Sequence, residues 1–383
     1  MVSVADLLEG KRVCICAGSG GVGKTTSSAA IAAGMAARGK KVAVLTIDPA
    51  KRLADSLGLP ELGNTESRVD PELYEAEEVD TEGGELWAMM LDAKATFDEV
   101  ISRHAPDAET RDRILDNRIY KQLSNALAGS QEYMAMERLF ELHQEDRYDL
   151  LVLDTPPTRN ALDFLDAPRR LTQFIEGRSL QVFMRPTGLG MRLFGRGTSM
   201  MFSILRRITG VDLLEDVSEF FQAFSGMVGG FQERAKRVNE LLADRRTSFL
   251  VICGPQGEPI EEAVYFHRKL VEAELPFGGV IVNKVHYESE FEVAEGEDVV
   301  EELSGALNDP DLATRAAGSL ADYTALAARD RRNIARLTAE LRARRVIQVP
   351  YLEEDVHDLR GLTEINRYLF ATGPEREALA ASR

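Results

Sequence analysis

Short, continuous apolar runs recur along the chain, and most of them are separated by stretches of helical period. Arg12-Val-Cys-Ile-Cys16, Lys41-Val-Ala-Val-Leu-Thr-Ile-Asp48, Leu86-Trp-Ala-Met-Met-Leu91 and Tyr148-Asp-Leu-Leu-Val-Leu-Asp154 have the length and β-capable content of strands. Thr247–Cys253, Gly279–Asn283 and Val346–Pro350 continue the series. Helical patterns cover Thr25 to Ala37, about Glu258 to Ala273, roughly Leu312 to Arg344, and Asp358 to Phe370. The first strand, helix and second strand have βαβ spacing, which requires a parallel sheet and places the chain in the α/β class. Asp48 to Leu57 leaves its strand through a Pro into a helix-like stretch. The acidic segments Glu61 to Glu82 and 286–312 are expected to be surface excursions, and Trp87 is expected to pack in its strand.

Two long stretches break the alternation. Residues 93–146 and 168–245 carry helical periodicity and few strand signals, so they are expected to form an α-helical subdomain. The core is then residues 1–92, 147–167 and 246–383. In the second insertion Met201, Ile204, Leu205 and Ile208 share one helical face. Leu213, Val217, Phe220, Phe224, Met227 and Phe231 repeat at steps of four and three, behind Asp212 and Glu215 at capping-box spacing.

Composition narrows the class. The 383 residues are 44% hydrophobic and 28% charged, as in a globular chain, with a formal charge of −17. No basic stripe offsets that charge, which argues against nucleic acid as a partner. Cys14, Cys16 and Cys253 form no C-x-x-C pair and sit in apolar runs, where small buried thiols are expected. No signal peptide opens the sequence and no uncharged apolar run reaches the length of a membrane span, so a cytoplasmic location is expected.

The chemistry concentrates in Gly18 to Thr26, GSGGVGKTT, which fits G-x-x-x-x-G-K-S/T between a strand and a helix. Glycines let such a loop wrap a polyphosphate so that backbone N–H groups and the helix N-terminus face its charge. Lys24 is expected to reach the β- and γ-phosphates of ATP, and the Thr25 hydroxyl to bind Mg²⁺. Ligands of parallel sheets lie beyond the carboxyl ends of the strands, which sets Asp48 beside this loop. Asp154, ending an apolar run, suits the acid that holds Mg²⁺ through water, and Thr155 to Thr158 suits a loop that senses the γ-phosphate.

Three stretches together, GSGGVGKTT, TIDPAKRLADSLG and DTPPTRNALDFL, resemble the family of the arsenite-pump ATPase ArsA and the guided-entry factor for tail-anchored membrane proteins. V-I-V-N-K and V-P-Y-L-E-E-D-V correspond in order, so the likeness covers most of the chain. It implies a doubly wound P-loop NTPase core, ATP hydrolysis, and a dimer with nucleotides at the subunit interface. It also implies that the helical insertions move with the nucleotide state. By this resemblance Gly20, Gly21, Val22, Gly23, Lys24, Thr25 and Thr26 form the phosphate loop. Asp48 matches the switch I aspartate that orients the attacking water, and Asp154 the switch II aspartate. Catalysis is thus assigned to Lys24, Asp48 and Asp154, and the metal to Thr25, Asp48 and Asp154. Asn283 matches the base-contacting Asn, and the Pro350 loop the segment lining adenine. Asp48 also suits a helix cap, and Asn283 a turn.

The sequence departs from the family in three places. Ser19 occupies the position of a signature lysine that reaches the partner's phosphates. The family's metalloid-binding cysteines and zinc C-x-x-C have no counterpart. Lys51 stands where many members carry His. Three roles remain open. One is an ATP-driven chaperone or targeting factor for apolar helical or membrane-protein clients. Another is the catalytic subunit of an anion pump, disfavoured for metalloids by the unpaired cysteines. The third is a weakly hydrolysing regulatory subunit of a heteromer. Ser19 favours a heterodimer with a lysine-bearing paralogue over a self-sufficient homodimer, unless Lys51 or Arg52 supplies the charge.

Overall fold

The computed structural model describes residues 2–48, 52–70, 83–118, 120–121, 130–156, 220, 223, 227–287, 297–341, 345–352, 356 and 358–381. In chain order they begin with α1 (Val4–Leu7), β1 (Val13–Ala17), α2 (Lys24–Ala36), β2 (Lys41–Thr46), α3 (Arg52–Ser56), β3 (Ser67–Arg68) and β4 (Glu85–Met90). The helices α4 (Ala93–His104), α5 (Ala108–Asp116) and α6 (Ser130–Gln144) precede β5 (Leu150–Asp154) and α7 (Val228–Ala243). Then come β6 (Thr247–Cys253), α8 (Gly257–Glu272), β7 (Phe277–Val285), α9 (Glu297–Leu307) and α10 (Pro310–Leu341). The chain closes with β8 (Val346–Pro350), α11 (Leu359–Leu369) and α12 (Gly373–Ala381).

The chain divides into two compact units, Met1–Met90 with Glu145–Ala161 and Ala243–Arg383, and Leu91–Gln144 with Leu162–Leu242. The first holds one sheet of order β3-β4-β2-β5-β1-β6-β7-β8. All pairings are parallel except β3 with β4, a two-residue edge strand. β1, β5 and β6 are buried at every position, which is why they read as unbroken apolar runs rather than alternating ones. From β1 the chain steps over the place of β5 to reach β2, later returns to fill it, and only then builds the other half. β1 and β5 therefore flank the point where the winding reverses, the place where such sheets take ligands.

Small residues in α2 allow a tight layer above the sheet. A Cβ at Gly34 would overlap the Phe370 ring that follows α11, whose first turn is capped by Asp358 accepting from Gly361 N–H at 2.9 Å. The three cysteines are buried and free, as their apolar runs imply. Trp87 lies in β4, where its ring meets Tyr148 edge-on at 6.4 Å and lies under the Arg147 guanidinium.

Two surface segments carry more regular structure than expected. In the acidic run 286–312, residues 299–312 are exposed or half-buried as expected, and Glu297–Leu307 is helical and packs on α10. Glu61 to Glu82 contributes β3 to the sheet edge. The 32-residue α10 is buried at a regular spacing only in its C-terminal part, through Ala327, Asp330, Ile334, Leu337 and Leu341. There the fully buried Asp330 accepts from His286 N–H at 3.1 Å, lies 2.8 Å from His286 Nδ1, and pairs with Arg329.

In the second unit Phe97 stacks on Tyr120 at 5.7 Å and meets Phe231, while Tyr120 stacks on Phe220. Phe220, Met227 and Phe231, the described members of the four-and-three repeat, are buried in this core. Val217, Phe224 and the face built on Met201 lie outside the described residues, as do Asp212 and Glu215.

Candidate functional site

β1 ends at Ala17 and the chain turns through Gly18 to Gly23 into α2. Gly18 has φ 154°, and a Cβ there would run into the Ile252 carbonyl of β6, so only glycine lets the loop leave the sheet this closely. Gly23 caps α2 at φ 89° with no side-chain hydrogen bond, which leaves the N–H groups of the first turn for a ligand. Gly20 and Gly21 are exposed, Val22 is buried, and Thr25 and Thr26 are half-buried.

Lys24 is 6% exposed and its ammonium donates to the Ser19 carbonyl at 2.7 Å. Burial lowers its pKa, while Asp154, Asp48 and Glu262 pull it back up and Arg52 opposes them. The lysine is thus a desolvated cation folded against its own loop, within the field of three acids. The Ser19 hydroxyl is buried and has no hydrogen-bond partner among the described residues.

Asp154 ends β5 and is fully buried. Its Oδ2 accepts from Thr25 Oγ1 and Thr46 Oγ1, each at 2.8 Å. Oδ1 is equally buried and accepts nothing from the described residues. Burial pushes the carboxyl up to about 6, and the two hydroxyls and Lys24 hold it below where burial alone would take it. A buried carboxylate with one oxygen saturated and the other bare fits a hydrated divalent cation held next to Thr25 Oγ1. Among the described residues no cluster of three or more His, Cys, Asp and Glu gathers to cage an ion.

Asp48 lies two residues beyond β2, half-buried, with its backbone N–H donating to Thr46 Oγ1 at 3.2 Å. Thr155, the first residue of the loop after β5, donates its hydroxyl to the Cys16 carbonyl at 2.8 Å. Pro49, Lys51 and Thr158 lie outside the described residues, and Arg52 is exposed. Asn283, 7% exposed, donates Nδ2 to the Val22 carbonyl at 3.0 Å, so it ties β7 to the phosphate loop. Pro350 ends β8 opposite Val285 and is buried, while Tyr351 after it is exposed and stacks on His286 at 5.4 Å.

Two participants escape sequence reasoning. Thr46 reads as β-branched filler in a strand, with nothing to announce that its hydroxyl meets Asp154. Lys284 sits at φ 63°, where the β7–β8 register shifts, and its ammonium makes a long 3.4 Å contact with the Gly21 carbonyl. Its place at the end of the V-I-V-N-K stretch, beside Asn283, is the signal that could have drawn attention to it.

A strand, a wrapped glycine loop and a helix with no side-chain cap and a buried lysine, beside an aspartate ending β5 that accepts from threonines of α2 and β2, define a P-loop nucleoside triphosphatase. The Anion-transporting ATPase family model matches residues 11–300, and the chain belongs to that family. It is 27% identical over 289 residues to the putative arsenical pump-driving ATPase 1 of Aquifex aeolicus, covering 72% of this chain and 63% of that protein. It is 25% identical over 282 residues to ATPase GET3A of Arabidopsis thaliana, covering 71% and 67%. With ATPase GET3 of Kluyveromyces lactis it shares 24% identity over 284 residues, 70% of each. No described helix is long and apolar enough to cross a membrane.

Proposed function

We propose that this chain hydrolyses ATP with Mg²⁺ at the loop Gly20, Gly21, Val22, Gly23, Lys24, Thr25 and Thr26, and couples the nucleotide state to rearrangement of a dimer and of its helical unit. The observation that carries the chemistry is the half-satisfied Asp154 carboxylate beside Thr25 and Lys24. Mg²⁺, when bound, supplies charge neutralisation between the phosphates. The chain's own groups do the rest. Loop amides and the α2 N-terminus orient the phosphates, and Lys24 leaves the Ser19 carbonyl for a phosphate oxygen. Thr25, Asp154 and Asp48 would hold the metal, and Asp48 would also orient the attacking water. Asn283 and the loop after Pro350 receive the base.

The work proposed for this cycle is handling of apolar or membrane-protein segments. Its support is the kinship with ATPases of the GET3 type and the apolar pattern of the second insertion. Pumping of soft anions finds less support, since all three cysteines are buried in β1 and β6. A heteromeric, weakly hydrolysing role is favoured by Ser19, whose short side chain carries no charge and points away from solvent. The test is phosphate release by the full chain alone, as Ser19→Lys, and mixed with a lysine-bearing paralogue, with co-purifying proteins identified. Mg²⁺-dependent turnover of the lone chain, abolished in Asp48→Asn with ATP affinity kept, supports an active homodimer. Turnover only with the paralogue supports the heteromer. No turnover in any arm overturns the hydrolytic reading.

A further inference from the structure

Thr46, at the end of β2, bonds the carboxylate of Asp154 and the backbone N–H of Asp48, the two acids assigned to the chemistry. It is 1% exposed, and the β2–β5 register sets it directly opposite Asp154. A hydroxyl carries one hydrogen and accepts through its lone pairs. Thr46 gives its hydrogen to Asp154 Oδ2 at 2.8 Å and accepts the Asp48 N–H at 3.2 Å. One atom therefore joins the acid at the end of β5 to the first peptides beyond β2. Thr25 fills the second position on the same Oδ2, so the carboxylate is held by two donors with Oδ1 left over. Thr25 alone would leave the carboxylate free to turn about one bond, whereas the pair from α2 and β2 fixes its plane.

We propose that Thr46 is a positioning residue for phosphoryl transfer, aligning Asp154 toward the metal-bound water and Asp48 toward the attacking water through a single hydroxyl. The proposal rests on the reading of Asp48 and Asp154 given above. A packing role would be met equally by valine, which keeps the β-branched shape the central strand requires. Valine, however, offers no hydrogen to Asp154 and no acceptor to Asp48. The hydroxyl itself is the functional element.

The test uses the full chain as Thr46→Val, Thr46→Ser, Asp48→Asn and Asp154→Asn. In Thr46→Val, metal-free affinity for a fluorescent ADP analogue is expected to stay within about twofold. The Mg²⁺ concentration for half-maximal turnover rises and kcat falls about 10- to 100-fold at little-changed KM, the usual cost of losing an outer-shell partner. Without nucleotide or metal, hydrogen exchange of the Asp48 amide quickens in Thr46→Val and not in Thr46→Ser. Thr46→Ser restores kcat to within a few-fold. Thr46→Cys, small and weakly donating, substitutes if valine prevents folding, and is expected to lose kcat in the same direction. Normal kcat in Thr46→Val, or equal impairment in Thr46→Ser, overturns the positioning role while slow Asp48→Asn and Asp154→Asn keep the parent reading intact. Normal turnover in both Asp variants overturns the two together.

Discussion

Two acids, each without exposed surface, show what separates a site that holds structure from one that awaits a ligand. Glu137 in the helical unit and Asp154 in the sheet unit are both fully buried, and burial raises the pKa of each. Glu137 has both oxygens engaged, Oε1 by the Arg234 guanidinium and Oε2 by the Tyr133 hydroxyl. Arg234 continues to Glu141 at 3.4 Å and to His104 at 3.1 Å, and Arg103 and Arg138 also meet Glu141. Asp154 has two neutral hydroxyls on one oxygen, none of the described residues on the other, and Lys24, whose charge acts on it, turned to a carbonyl. Burial alone does not mark function. A buried charge whose partners are all internal is a fastener, whereas one left half-satisfied stores affinity for an ion that arrives with the substrate.

The largest effect should come from Asp154→Asn, with turnover falling by about two to four orders of magnitude and no loss in melting temperature, because a desolvated charge is removed. Normal phosphate release from that variant would erase the contrast between the two acids. Arg234→Ala should do the opposite, costing about 3–5 kcal/mol of stability by stranding Glu137, while ATP affinity is kept. The loss should depend on pH in a defined direction. Glu137 in the folded protein titrates above its ordinary 4.5, and removing Arg234 raises it further. Its own penalty is therefore absent below that ordinary value, grows between it and the raised folded pKa, and is complete above that, while the extra deficit of the variant grows between the wild-type and the still higher variant pKa. Melting of Arg234→Ala at pH 5 and pH 8 checks this, the larger deficit being expected at pH 8.

Lys24→Ala removes a charge-assisted contact to phosphate and should weaken ATP binding by about 1.5–3 kcal/mol, measurable by titration calorimetry. Unchanged affinity there would remove the loop from nucleotide binding altogether. The smallest effect is expected from Asn283→Ala, about 1 kcal/mol in nucleotide affinity through a loosened Val22 carbonyl. A loss well beyond that would sharpen the case for direct contact between Asn283 and the base.

The parts legible in the sequence are those whose signal is local. The phosphate loop and the acids ending apolar runs announce themselves within ten residues, and the parallel strands betray double-sided burial by their unbroken hydrophobicity. What escaped depends on partners distant in the chain or on very short pairing. Thr46 and Asp154 are 108 residues apart, and Asn283 and Val22 are 261 apart. Glu137 and Arg234, 97 apart, look like any two charges on amphipathic helices. β3 has only two residues, too few for a period, and in α9 the glutamates mask the spacing of Val299, Val300, Leu303 and Leu307.

The anchoring of α10 has a mechanical consequence. From Asp330 back to Pro310 the helix runs on with only Ala327, next to the anchor, and Ala313 buried, an arm of roughly 30 Å at 1.5 Å per residue. Its pivot is the Asp330–His286 hydrogen bond, three residues past the Asn283 that grips the phosphate loop. Tilting that pivot by about 5° carries the tip of the arm through about 2.6 Å, given the helical rise. A displacement too small to notice at the loop thus becomes a full atomic diameter at the far end. Any such tilt at the pivot would thus be read out, enlarged, at the outer end of the α9–α10 hairpin.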